Sequence, residues 1–272
     1  MYIGVDIGGT KTLVAVLNEH GEIVEETRFE TPKLYDNFLL ELRNVAHHLE
    51  HHDFRAGGVG VTGVIDRQHG RRSSAGKLYW AGTVPIQADV EKVFGCPIVI
   101  ENDAKLAGLS EAMLLKERFK RVLYLTVSTG VGFALIDNGV IDVSLGDRGG
   151  TTVMVEHRGK HVPWEDFASG RAIVERFGKR AVDIHDQESW KIIARNIASG
   201  LIELVALLEP QVVVVGGGVG SYFERFEKQL AAELKKFEVP AVTLPALRQA
   251  QRPEQAVIYG CYDLAKQTFG HD

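Results

Sequence analysis

Cysteine is scarce in this chain of 272 residues, which contains only Cys96 and Cys261. Two cysteines cannot by themselves complete a closed zinc site, which needs about four nitrogen or sulfur ligands. In a chain of this length they are typical of reduced, buried thiols in a cytosolic protein. We therefore expect a cytoplasmic protein.

The chain also has no excess of positive charge. Lys and Arg number 31 against 36 Asp and Glu, which leaves a net charge of −5. This balance provides no basic face for nucleic acid. No apolar run approaches the roughly 18 residues needed to span a membrane, and no positively charged segment precedes the strand that starts at Tyr2. We therefore expect no nucleic-acid partner, no membrane partner and no signal peptide.

The remaining composition is that of an ordinary globular protein. Apolar residues make up 45% and charged residues 25%, and the length suffices for two domains. A strand interrupted by glycines is predicted from Val59 to Val64, where glycine marks a bulge or a close backbone approach. Apolar spacing and flanking breakers predict helices over residues 34–52, 86–95, 104–116, 187–208, 221–237 and 253–268.

The N-terminal residues 1–24 predict two strands joined by a tight turn. The turn contains Gly8, Gly9, Thr10, Lys11 and Thr12. Glycine exposes backbone N–H groups that form an anion-binding concavity, and the hydroxyls and the lysine add to it. Asp6 is an acid inside an apolar strand, and a carboxylate beside a phosphate cradle suggests Mg²⁺ held partly through water. A plain β-hairpin is the alternative, but Asp6 with the Thr-Lys-Thr run favours phosphate binding.

The same design recurs in residues 122–141, where an apolar strand, a small-residue turn and a second strand follow one another. Here the turn contains Ser128, Thr129 and Gly130. Two copies separated by about half the chain indicate two similar lobes. Two such hairpins that face each other could clamp a polyphosphate from both sides.

Two further turns follow predicted strands. Glu101, Asn102 and Asp103 stand between the strand 97–100 and a helix. Asn and Asp are good helix caps, but ligands in α/β sheets also bind at the carboxyl ends of strands. The valine run 212–215 precedes Gly216-Gly217-Gly218. This pattern is compatible with a nucleotide site, although a tight turn explains it almost as well.

The motifs DIGGTK, ENDA, STGVG, EDFASG and VVVVGGGV occur in this order over nearly the whole chain. The order resembles the ROK family of sugar kinases and sugar-sensing repressors. The resemblance implies an α/β fold, namely a two-lobed actin/hexokinase-like (ribonuclease H-like) ATPase fold with a duplicated mixed-sheet core. It places a small lobe at residues 1–108, closed by the C-terminal helix 253–272, and a large lobe at 109–252.

The resemblance also implies roles for the matching residues. Asp103 would be the catalytic base, and Asn102 and Glu165 would bind the sugar. The residues implied in binding ATP, its phosphates and adenosine are Asp6, Gly8, Gly9, Thr10, Lys11, Thr129, Gly130, Gly217 and Gly218, with Asp6 also holding Mg²⁺ through water.

Three segments depart from the family pattern, and they concern the sugar and the zinc rather than the phosphates. The usual GE-x-GH segment is Gly146-Asp147-Arg148-Gly149-Gly150 here. Lys77-Leu78-Tyr79-Trp80 replaces an N-L-x-W loop and is more similar to ROK fructokinases. We assign Asp147 and Lys77 to the sugar. The family's cysteine-rich zinc segment is replaced by residues 157–164, so no zinc is expected, although His157 and His161 keep an i,i+4 spacing compatible with a partial site.

The predicted function is therefore an ATP-dependent sugar kinase that phosphorylates a hydroxyl of a hexose or hexose derivative. The family commonly forms dimers, so the resemblance implies a homodimer. The alternative is a non-catalytic sugar or nucleotide sensor. A DNA-binding form of that sensor is disfavoured, because no helix-turn-helix precedes Tyr2.

Overall fold

The computed structural model describes residues 1–73, 78–237, 242–252 and 254–270. The chain divides into two compact units. One comprises Met1–Ser110 and the chain from Glu254 onward, and the other comprises Glu111–Pro253.

The elements alternate along the chain. The strands are β1 (Tyr2–Ile7), β2 (Lys11–Leu17), β3 (Ile23–Glu30), β4 (Ala56–Val61), β5 (Ile65–Asp66), β6 (Arg71–Arg72), β7 (Ile98–Asn102), β8 (Arg121–Val127), β9 (Val131–Asp137), β10 (Val140–Ile141), β11 (Met154–His157), β12 (Lys160–Pro163), β13 (Val212–Gly216) and β14 (Ala246–Gln249). The helices are α1 (Tyr35–His48), α2 (Ile86–Phe94), α3 (Asp103–Leu115), α4 (Glu165–Ala168), α5 (Gly170–Phe177), α6 (Gln187–Leu208), α7 (Gly217–Gly220), α8 (Glu227–Lys235) and α9 (Ala256–Phe269). Short 3₁₀ turns cover Gly149–Thr151, Ala181–Asp183 and Phe223–Arg225.

The sheet of the first unit has five strands in the order β3-β2-β1-β4-β7. β1, β2 and β3 are antiparallel, whereas β4 and β7 run parallel to β1. The sheet of the second unit has the order β10-β9-β8-β13-β14, again with three antiparallel strands followed by two parallel ones. The prediction of a duplicated mixed-sheet core is therefore confirmed.

Glycine allows helix α9 to pack directly on the backbone of the first sheet. A Cβ on Gly58 would lie 2.7 Å from Cα of Cys261, and a Cβ on Gly60 would lie 2.3 Å from Cγ1 of Val257. The strand occupies Ala56–Val61 rather than residues 59–64, so the predicted bounds were wrong. The predicted strand left out Gly57 and Gly58, which belong to it. Of the two interpretations of its glycines, the close backbone approach is correct, because they allow the contact with α9.

The opposite face of the first sheet carries most of that unit's core. Its alternate strand residues, among them Ile3, Val5 and Val59, pack with Phe38 of α1 and Val90 of α2. α1 ends at His48 rather than at residue 52. Burying such side chains stabilises the folded state by about 1.5–3 kcal/mol each.

The core of the second unit lies between its sheet and helices α6 and α8. Trp190 of α6 stacks on Phe226 with a centroid distance of 5.4 Å. Of the predicted helix 221–237, only α8 (Glu227–Lys235) forms, and its expected start is a 3₁₀ turn at Phe223–Arg225 instead. Phe223 and Phe226 are buried in that interruption, so tertiary packing overrides the helical spacing. Among the described residues, no helix combines the length and apolar character required to cross a membrane.

Candidate functional site

The first hairpin turn joins β1 to β2 and is braced from the side. Gly8 N donates to the Lys11 carbonyl at 3.0 Å, and Thr31 N donates to the Thr10 carbonyl at 2.9 Å. The Thr31 hydroxyl donates to the Gly8 carbonyl and lies 2.9 Å from the Thr12 hydroxyl. The Thr12 hydroxyl is therefore used inside the fold and is not offered to phosphate. Thr10 and Lys11 are exposed and remain accessible to a phosphate.

Asp6 lies near the end of β1 and is electrostatically coupled to Asp103. Burial, followed by the charge of Asp103, raises the pKa of Asp6 to about 7, while Arg28 acts in the opposite direction. The described residues include no group of three or more His, Cys, Asp or Glu that could hold a metal. A single carboxylate completed by water and phosphate oxygens is the usual way in which proteins hold Mg²⁺, so Asp6 fits this ion.

Asn102 caps helix α3, and Asp103 adds one bond at the same N-terminus, because Asp103 Oδ1 accepts from Ala104 N at 2.9 Å. The Asn102 amide oxygen accepts from Ala104 N at 3.0 Å and from Lys105 N at 3.3 Å. Its amide nitrogen donates to the Gly63 carbonyl at 3.1 Å. These bonds leave at most one amide hydrogen for a sugar. Asp103 occupies the first turn of α3, where the helix dipole favours the ionised carboxylate.

The neighbouring Glu101 forms an ion pair that the sequence did not reveal. Arg67 Nε lies 2.7 Å from one oxygen of the buried Glu101 carboxylate, and Arg67 Nη2 lies 2.5 Å from the other. Asn102 N also donates to this carboxylate at 2.6 Å. A buried acid in an apolar strand requires a cation, and that requirement is the signal that could have identified an arginine partner.

In the second unit, the turn of the β8–β9 hairpin is closed by Ser128 N donating to the Gly130 carbonyl at 2.8 Å. Gly170 N donates to the Ser128 carbonyl at 2.6 Å. A Cβ on Gly170 would lie 2.6 Å from that oxygen, so only glycine allows the approach. Thr129 is exposed at the tip of the turn.

Glu165 is tied to the same hairpin. Its Oε2 accepts from Val131 N at 2.9 Å, and Arg171 Nη2 lies 3.7 Å from Oε1. The side chain is largely buried. Glu165 therefore holds the start of β9, and a role in sugar binding would rest mainly on Oε1.

The 146–150 segment packs closely on Val131. Gly149 has φ +51°, and a Cβ there would lie 2.5 Å from the Val131 carbonyl oxygen. A Cβ on Gly150 would lie 2.8 Å from Cβ of Val131. The position where the family pattern carries histidine is therefore filled by a valine side chain. Asp147 is half-buried.

His157 and His161 belong to a β-hairpin, not to a helix. β11 pairs with β12 such that His157 lies opposite Lys160, and Glu156 lies opposite His161. Residues directly opposite share a face of the hairpin, so the two histidines point to opposite faces. The His157 ring stacks on Phe167 at 4.1 Å. The interpretation of their spacing as a partial metal site was wrong.

The glycine turn after β13 meets the second hairpin. Gly217 has φ +81°, and a Cβ there would lie 2.6 Å from the Val127 carbonyl oxygen. Around Gly218 a Cβ would meet nothing within 4 Å, which leaves open space for a ligand. The second unit thus brings together this turn, Thr129, Gly130 and Glu165. The first unit brings together its hairpin, Asn102 and Asp103, and Lys77 lies outside the described residues.

Comparison with known proteins gives relatives of matching length. The glucokinase of Streptomyces coelicolor is 26% identical over 314 residues, with 97% of each chain covered. The N-acetylmannosamine kinase of Vibrio cholerae is 27% identical over 266 residues, covering 88% of this chain and 92% of that protein.

Solved structures agree with these relatives. A ROK family glucokinase from Streptomyces griseus, in complex with glucose and AMPPNP, superposes with a TM-score of 0.81 and 25% identity, over 98% of this chain and 99% of that chain. The predicted actin/hexokinase-like fold is confirmed by this likeness. The model of the ROK family matches residues 2–268, and the chain therefore belongs to the ROK family.

Proposed function

We propose that this protein is an ATP-dependent sugar kinase with Asp103 as its catalytic base. One observation carries the proposal. Asn102 accepts from the N–H groups of both Ala104 and Lys105, whereas Asp103 shares only Ala104 N, so the capping of α3 does not depend on the acid. The acid nevertheless lies at the carboxyl edge of the sheet, and its charge acts on Asp6, which lies near the carboxyl end of β1 at the same edge. This is the region in which α/β proteins bind ligands.

The chemistry follows from the chain's own groups. The Asp103 carboxylate accepts the proton of a sugar hydroxyl as that oxygen bonds to the γ-phosphorus of ATP and the bond to ADP breaks. Exposed N–H groups of the first hairpin, together with Thr10 and Lys11, orient the phosphates. Thr129 and Gly130 provide the corresponding turn in the second unit, and Gly217 and Gly218 lie against adenosine. Asp6 would hold Mg²⁺ through water, and the bound ion would supply neutralisation of the phosphate charge.

The acceptor we propose is a hexose or hexose derivative. The relatives are named for glucose and for N-acetylmannosamine, and both are hexose-based. Asn102, Asp147, Glu165 and Lys77 are the residues we assign to the acceptor. By resemblance to the family we also propose a homodimer, which analytical ultracentrifugation tests directly.

The test is ADP release from ATP and Mg²⁺ across hexoses, amino sugars and sugar acids. We expect release that depends on at least one sugar. Sugar binding detected by calorimetry without ADP release from any acceptor would refute the kinase and leave a non-catalytic sensor. That outcome would direct attention to Asp147 and to the filled position at Gly150.

A further inference from the structure

Arg72 carries a buried charge that the described chain does not neutralise. Its side chain on β6 is 0% exposed. Nε donates to the Thr62 carbonyl at 3.0 Å. Both terminal nitrogens are buried, and neither has a hydrogen-bond partner in the described part of the chain. A guanidinium stays charged in proteins, and burying a charge without a partner is strongly unfavourable.

The buried acid of β7, Glu101, is paired with another arginine. Both carboxylate oxygens of Glu101 accept hydrogen bonds from Arg67, at 2.7 and 2.5 Å. Arg67 and Arg72 belong to the same small β5–β6 hairpin, where Ile65 pairs with Arg72. Arg67 is thus paired with a carboxylate of the protein, whereas the terminal nitrogens of Arg72 have no hydrogen-bond partner among the described residues.

Hydrogen bonds connect Arg72 to the proposed acceptor site. Arg72 holds the carbonyl of Thr62, and Asn102 holds the carbonyl of the next residue, Gly63, at 3.1 Å. This turn directly follows β4, whose last residue Val61 pairs with Asn102 at the end of β7. Arg72 and Asn102, the residue before the proposed base, therefore hold consecutive carbonyls of one turn at the carboxyl edge of the sheet.

The remaining donors have the geometry of an anion receptor. With Nε occupied, the unpartnered nitrogens are Nη1 and Nη2 at the far end of the planar group. These two nitrogens can donate in parallel to the two oxygens of a carboxylate or phosphate. A neutral hydroxyl can accept such a bond but cannot neutralise the charge.

Building on the sugar kinase function proposed above, we propose that Arg72 binds an anionic group of the acceptor. The preferred substrate is then an acidic hexose derivative, carrying a carboxylate or a phosphate, and not a neutral hexose. Because the terminal nitrogens are buried, covering side chains must shift when the acceptor enters. The test therefore measures binding as well as turnover.

The experiment compares matched acceptors by ADP release and by thermal stabilisation without ATP. Gluconate, glucuronate and glucose 1-phosphate are each compared with glucose, and inorganic sulfate serves as a free anion. We expect kcat/KM for at least one acid to exceed that for glucose by about 10-fold or more. Arg72→Gln should lower that ratio by about 10- to 100-fold, as expected for loss of a charge-assisted pair.

Arg71→Gln is the matched control. Arg71 is the exposed neighbour on the same strand, so the substitution removes the same charge from the surface and should leave the ratio unchanged. Arg72→Lys keeps the charge without the planar fork and should retain part of the preference. It replaces the glutamine variant if that variant does not fold.

The outcomes separate this inference from the kinase proposal. Turnover of glucose at least as efficient as that of every acid overturns the inference and leaves the kinase. The same holds if Arg72→Gln lowers kcat/KM for the acid and for glucose equally. It also holds if sulfate is the only anion that stabilises the wild type and no acid has a higher kcat/KM than glucose. Stabilisation by an acidic sugar that is lost in Arg72→Gln, without any ADP release, supports the inference and refutes the kinase. If no acid is turned over and no acid stabilises the protein, the inference is overturned.

Discussion

Asn102 and Asp103 are adjacent in the chain and both accept from Ala104 N, but only Asn102 also accepts from Lys105 N. Asn102 supplies the cap of α3, so Asn102→Ala should lower the free energy of unfolding by about 1–2 kcal/mol. Asp103→Asn should leave a folded protein that still binds ATP, with kcat reduced about 100-fold or more, because the proton acceptor is lost. Denaturant titration and ADP release measure the two effects. Retention of most of kcat in Asp103→Asn would remove Asp103 from the role of base.

Asp6 makes stability depend on pH. Its pKa is about 7 in the folded protein against 3.8 ordinarily. Between these values the unfolded chain loses its proton first, so stability falls as pH rises and the full cost remains above pH 7. Asp6→Asn should therefore be more stable than the wild type. The difference should be small near pH 4 and grow to the order of 2–4 kcal/mol above pH 7.

Thermal unfolding of both proteins across this pH range provides the measurement. Asp66→Asn is the contrasting variant, because a hydrogen bond with His69 lowers the pKa of Asp66. It should bring no gain in stability at neutral pH. A difference between Asp6→Asn and wild type that does not change with pH would contradict the assignment.

The contact of α9 with the glycine strand β4 is a prediction at the level of elements. Gly58→Ala places a Cβ 2.7 Å from backbone atoms of Cys261, and backbone cannot rotate away as a side chain can. We expect a loss of about 1–3 kcal/mol or more, as for other overpacked sites. In Gly146→Ala the new Cβ meets nothing within 4 Å, so its stability should stay near that of wild type. Equal denaturation midpoints for the two variants would argue against close packing of α9.

Elements with strong local signals were predictable from sequence. Both hairpins combine apolar strands with small-residue turns, and both occur as expected. The break between α7 and α8 was not predictable, because it depends on Phe226 stacking on Trp190, which lies far away in sequence. Thr31 bracing the first turn and Arg67 pairing with Glu101 are likewise contacts between segments, which a local pattern does not contain.

At the scale of the whole molecule, the duplication was predictable because each unit contains one glycine-containing hairpin. The full extent of the duplication was not predictable. β14 completes the second sheet by pairing with β13, but its sequence has little periodic pattern of its own. The burial of Arg72 could not be predicted for a similar reason. Nothing in the sequence distinguishes it from the adjacent Arg71, and only the fold buries one and exposes the other.

The last prediction concerns whether the fold needs zinc. Where the family pattern has a cysteine-rich segment, this chain has the β11–β12 hairpin followed by Trp164. The indole is fully buried, and its Nε1 donates to the Asn196 carbonyl at 2.9 Å. A Cβ on Gly200 would lie 2.2 Å from the Trp164 ring, so the ring lies directly on α6. Apolar packing thus anchors the segment to the second unit, as a bound metal would in a zinc-dependent fold.

We therefore expect far less than one zinc per chain in protein purified without chelator, and an unchanged melting temperature after EDTA treatment. Elemental analysis and thermal unfolding measure these quantities. Trp164→Ala should lower the melting temperature sharply, because removing a buried tryptophan costs about 3–5 kcal/mol. Stoichiometric zinc, or a melting temperature lowered by EDTA, would mean that the metal contributes an anchor that the packing of Trp164 does not replace.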